Sequence, residues 1–140
     1  MTKQFLSLTL AAIAAAGALG SLEAQPPPMC GLGNAIMNGT YAVAGTGTVV
    51  GVGPIATVGI VLYNGDGTGV SQFSTSSVNG GTSTSSKVPA VFTVNPDCTG
   101  FKTIGTTHFN FVITPDGATI NWIVTDAGVT MTGTGIRMKR

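Results

Sequence analysis

The stretch His108-Phe109-Asn110-Phe111-Val112-Ile113-Thr114-Pro115-Asp116-Gly117-Ala118-Thr119-Ile120-Asn121-Trp122-Ile123-Val124-Thr125-Asp126-Ala127-Gly128 decides the fold. Phe109, Phe111 and Ile113 oppose His108 and Asn110, and Ile120, Trp122 and Val124 oppose Thr119, Asn121 and Thr125. Strict alternation of apolar and polar residues is the period of a half-buried β-strand. Pro115-Asp116-Gly117 and Asp126-Ala127-Gly128 supply turn residues that end each run.

The same pattern extends outward. Turn signals such as Asn64-Gly65-Asp66-Gly67, Asn79-Gly80-Gly81 and Asn95-Pro96-Asp97-Cys98-Thr99-Gly100 cut residues 39–138 into eight segments. These predict strands over 39–50, 54–63, 68–77, 82–95, 99–105, 108–114, 118–125 and 129–138. In the first, Tyr41, Val43 and Val49 share a face with Gly45 and Gly47; in the last, Val129 and Met131 oppose Thr130, Thr132 and Thr134. The segment 54–63 is apolar on both faces. An even number of short strands joined by tight turns reads as all-β, an eight-stranded antiparallel up-and-down barrel, with an open β-sandwich as the alternative. Glycines within the strands permit the bending that closes a small barrel.

The N-terminus reads as an address. Lys3 precedes an apolar, Ala-rich run from Phe5 to Leu19, and small residues follow to Ala24, so residues 1–24 predict a secretory signal peptide. The run is shorter than the ~20 residues of a membrane span. Pro28-Met29 before Cys30 does not match a lipid-attachment signal. Residues 25–37 read as an extended, Pro-rich lead-in and 38–140 as a single barrel domain. An outer-membrane barrel would need an outward apolar band with aromatic girdles, whereas several aromatics here share the inward phase. After signal cleavage no membrane partner is expected. With Lys3 and Glu23 removed, five basic and four acidic residues remain, a balance without a basic face that argues against nucleic acid as a partner. The protein is expected to be secreted, into periplasm or medium, with its oligomeric state open.

Two cysteines in an oxidising compartment suggest a bond. If the strands alternate up and down, Cys30 and the turn holding Cys98 fall at the same end of the barrel. A Cys30–Cys98 disulfide is the first reading and two free thiols the second.

Gly39-Thr40-Tyr41, Val58-Gly59-Ile60, Val78-Asn79-Gly80, Phe92-Thr93-Val94-Asn95-Pro96-Asp97-Cys98-Thr99-Gly100 and Phe109-Asn110-Phe111-Val112-Ile113, followed by Thr125-Asp126 through Gly133, carry a resemblance. In this order they resemble a family of small secreted bacterial β-barrel proteins of unassigned function. The fold this implies is similar to allene oxide cyclase-like and lipocalin-like barrels, which enclose small apolar molecules. The chain departs from the pattern at Pro89-Ala90-Val91-Phe92, where such sequences look like Gly-Thr-Tyr. Pro89 cannot donate to a sheet ladder, which places a kink or open seam there, and Phe92 lacks a phenol hydroxyl.

No catalytic motif stands out. His108, the only histidine, lies near a turn on the outer face, and no Gly-x-Ser-x-Gly elbow accompanies it. One His, two paired Cys and four turn-borne Asp residues make no closed metal set, so neither metal nor cofactor is expected. Asp66, Asp97, Asp116 and Asp126 all sit in turn sequences, where aspartate bonds its own backbone. The inward group Tyr41, Phe92, Phe109, Phe111 and Trp122 either lines a pocket for a small apolar ligand or fills a solid core. Three functions follow: a non-enzymatic binding protein for such a ligand, a structural or interaction protein of the cell exterior with a solid core, and a cyclase-like enzyme acting by pocket shape.

Overall fold

A computed structural model describes residues 27–138; the signal peptide expected over 1–24 lies outside the described residues. A short 3-10 helix, Gly33–Ile36, leads into nine strands. They are β1 (Asn38–Val49), β2 (Gly53–Asn64), β3 (Thr68–Val78), β4 (Gly81–Ser85), β5 (Val88–Val94), β6 (Thr99–Ile104), β7 (Thr107–Ile113), β8 (Thr119–Val124) and β9 (Val129–Arg137). Every pairing is antiparallel, and β1 meets both β2 and β9 while β3 meets β2 and β5. Eight strands therefore close into a barrel, and the sandwich alternative falls away; β4 is an extra strand outside the closed circuit.

The expected strand over 82–95 is two strands. The chain leaves β4 and turns through Lys87 at a φ of 57°, a left-handed conformation that a ladder cannot absorb. It re-enters as β5 at Val88, just before Pro89, so the break falls two residues ahead of the proline that signalled it. β4 and β5 share one edge of β3: Ser74 to Val78 pair with β4, Thr68 to Ser71 with β5. The lead-in also differs from expectation. Instead of running extended, it turns at residues 29–32 and coils through the 3-10 helix, burying Cys30, Ile36 and Met37.

That compact lead-in plugs one end of the barrel. Cys30 and Cys98 form a disulfide, the Cys30 amide donates to the Pro96 carbonyl at 3.0 Å, and Asn34 Oδ1 accepts from the Val94 amide at 2.8 Å. Above the plug Tyr41, Tyr63, Phe92, Phe111, Ile113 and Ile120 pack together as core. The Tyr41 hydroxyl donates to the Gly117 carbonyl at 2.6 Å and accepts from Nε and Nη2 of Arg137, and Nη2 also donates to the Ile36 carbonyl. Arg137 thus binds the plug and Tyr41. Asp97 accepts from Thr99, through its amide at 3.0 Å and its hydroxyl at 2.6 Å.

The same local device closes two more turns at this end. Asp66 Oδ1 accepts from the amide and hydroxyl of Thr68 at 2.9 and 2.6 Å. Asp116 Oδ1 accepts from the Thr114 hydroxyl and the Ala118 amide at 2.6 and 2.9 Å. These threonine hydroxyl bonds, then the amide bonds, hold all three carboxyls below their ordinary value. The acids here are turn staples.

The opposite end is uneven. β1 and β2 run 12 residues and β3 runs 11, whereas β5 to β8 run six or seven. With β4 hydrogen-bonded to the far half of β3, the long strands form a tall wall facing a short one.

Candidate functional site

Between these walls lies a cavity of about 360 Å³. One side is apolar: Val43, Trp122, Val124, Val129 and Met131, from β1, β8 and β9, with Phe109 and Ile104 from β7 and β6. The other is hydroxyl-rich, with Thr57 from β2, Ser71, Ser74 and Ser76 from β3, and Ser85 from β4.

A β-bulge sets that hydroxyl wall. Ile60 pairs with Phe73 but Val61 pairs with Ser71, so Gln72 is an extra residue in β3. In a regular strand Phe73 would share the inward phase of Ser71. The bulge reverses the phase, leaving Phe73 outside and turning Ser74 and Ser76 to the cavity. Across the barrel, Trp122 has room because β1 and β9 carry glycines beside it. A Cβ on Gly45 or Gly133 would collide with the indole ring.

Of the five aromatic residues expected to group, the structure brings Phe109 and Trp122 to the cavity wall, edge to face at 5.4 Å. Tyr41, Phe92 and Phe111 belong to the packed half below. Tyr63 joins Tyr41 and Phe92 there through edge-to-face contacts at 5.5 and 5.3 Å. The barrel is therefore solid at the plugged end and hollow at the open end.

The residue that sequence reading missed is Lys102. It is 3% exposed, while its neighbour Phe101 is 56% exposed, the reverse of what hydropathy alone assigns. The strand phase explains the inversion. Gly100 must face inward because the Phe111 ring occupies the space its Cβ would take, and alternation then turns Lys102 inward. Its Nζ donates to the Tyr63 hydroxyl at 3.0 Å and lies 5.2–5.7 Å from the ring centroids of Phe109, Tyr63 and Trp122. Burial depresses its ammonium from 10.5 to about 7, because a charge is hard to desolvate. Burial also raises the Tyr63 phenol well above its ordinary value, so that partner stays neutral. Trp122, in the same cluster, holds the one buried side-chain polar atom without a hydrogen-bond partner among the described residues, its indole Nε1.

At the mouth, Asp126 borders the cavity and accepts from His108, through the amide at 3.0 Å and the ring Nδ1 at 2.7 Å. These two bonds, the amide first, lower the Asp126 carboxyl. His108 is exposed, as its place beside a turn implied. The cavity thus presents a buried, weakly basic amine on an aromatic floor, an apolar wall, a hydroxyl wall and an open end. The eight-stranded barrel and the Cys30–Cys98 disulfide are both present. Compared with known protein families, curated proteins and solved structures, the chain matches no family, no curated protein and no solved structure.

Proposed function

We propose that the protein is an exported, non-enzymatic binding protein that holds a small, largely apolar molecule in the open half of its barrel. The observation that carries this reading is the cavity of about 360 Å³ between Phe109, Trp122 and the serines of β3. Small-molecule sites are concave and mostly apolar, with a few placed polar groups, and typically occupy ~300–1,000 Å³. The division of the barrel supports the same reading. Because the disulfide, the plug and the tyrosine cluster stabilise one half, the other half can remain unfilled. Export is supported by the leader-like residues 1–24 and by the Cys30–Cys98 bond, which suits an oxidising compartment.

The test is native mass spectrometry of the protein purified from a host that exports it. Binding predicts extra mass that disappears on denaturation. A bare chain, together with no change in Trp122 emission on titration with apolar compounds, would overturn the reading. Trp122 is the only tryptophan in the chain and borders the cavity, so its fluorescence reports occupancy directly.

A further inference from the structure

We propose that Lys102 anchors the head of an apolar monocarboxylate, whose hydrocarbon body lies between Phe109 and Trp122 and points toward the open mouth. This rests on the cavity reading above and names its ligand class.

Lys102 is placed as a recognition group and not as a structural one. A buried lysine that serves structure meets a carboxylate, but the ion pair among the described residues is His108–Asp126, at the mouth. Among the described residues Nζ has one hydrogen-bond partner, the Tyr63 hydroxyl, and an ammonium carries three donors. The groups facing it are few. Tyr63 reaches it from β2, and the uncharged rings of Phe109 and Trp122 face it from β7 and β8. Phe92, paired beside it on β5, is also uncharged. Asp126 borders the same cavity but is held by His108.

The Lys102 ammonium therefore has donors left over, and the rings that face it offer no carboxylate. A cavity whose floor offers donors beside an apolar wall suits a ligand with an acceptor at one end and hydrocarbon behind it. A carboxylate also contributes the negative charge that the floor lacks. A charge-assisted hydrogen bond in such surroundings is stronger than a neutral one. The depressed basicity of Lys102 fits this use, since an arriving carboxylate restores the charged form and draws in a proton.

Octanoate and octanol, which share a chain length and differ in the head, serve as probes by calorimetry near pH 8 on the disulfide-bonded protein. The expected result is that octanoate binds about tenfold or more tightly than octanol. Repeating the titration in buffers of different ionisation enthalpy should show uptake of about one proton per octanoate bound. In Lys102→Met the preference and the proton uptake should vanish while octanol still binds. Equal affinity for the two probes in the unmodified protein overturns the role of Lys102 and leaves the apolar cavity standing. Binding of neither probe removes both. The comparison of the two probes needs no variant, so failure of Lys102→Met to fold does not spare the proposal.

Discussion

The Nζ of Lys102 on β6 lies 3.0 Å from the Tyr63 hydroxyl on β2, two strands that share no ladder. The bond crosses the barrel interior at the boundary between its packed half and its cavity. It ties the one inward-facing charge of the described residues on the cavity floor to a phenol that is fully buried.

This position makes folding stability depend on pH in a defined direction. The ammonium value falls from 10.5 in the unfolded chain to about 7 in the folded one. Between these values the unfolded chain holds a proton that the folded chain lacks, so stability rises with pH through the window. Below about pH 7 the full penalty applies; each unit of depression is worth about 1.4 kcal/mol, which makes it on the order of 5 kcal/mol. Urea unfolding of the protein and of Lys102→Met at several pH values from 7 to 9.5 should show the slope in the first and its loss in the second. Parallel curves would show that Lys102 keeps its ordinary basicity.

Tyr63→Phe removes the one acceptor that Lys102 has among the described residues. A buried charged donor left without a partner costs about 1–3 kcal/mol or more. The expected loss is larger at pH 6, where Lys102 is charged, than at pH 9, where it is mostly neutral. Thermal unfolding at both values checks the difference, and an equal loss at both would contradict it.

Gly133→Ala places a methyl group against the Trp122 ring and the Ala44 carbonyl. Overpacking of this kind costs about 1–3 kcal/mol, and relief by tilting the indole intrudes on the cavity. Both lower stability and altered tryptophan emission are expected. Gly81→Ala, on the exposed strand β4, makes only ordinary contact and should change neither.

Replacing both Cys30 and Cys98 by serine opens a loop spanning 68 positions in sequence. On the chain-entropy account this removes about 4 kcal/mol. The loss should appear as a lower urea midpoint, accompanied by earlier amide exchange in the plug around Ile36 and Met37.

The strands were legible because turn chemistry and alternation agreed over most of the chain. Phe109, Phe111, Ile113, Ile120, Trp122 and Val124 all take the side that their period assigned. Pro89 signalled a break in the fourth segment, but its position was hidden because Ser86 and Lys87 carry no Gly, Asn or Asp, and yet Lys87 adopts a positive φ. The β3 bulge left no signal, since Ser71-Gln72-Phe73-Ser74 fits either phase. Lys102 was hidden by its neighbour. Reading Phe101 as inward is natural from hydropathy, and only the need of Phe111 for the empty side of Gly100 reverses it. That contact joins adjacent strands β6 and β7, so pattern within one strand could not reveal it.

The division into a stapled half and a hollow half bears on how such a chain can change over generations. Disulfide, plug, Asp-turn staples and tyrosine cluster all sit below the cavity floor. Residues such as Val43, Val129 and Ser76 border the hollow and stand apart from those fastenings. Substitutions there act on the occupant more than on the scaffold, so the mouth can be recast to a new shape of guest while the foundation keeps the barrel shut.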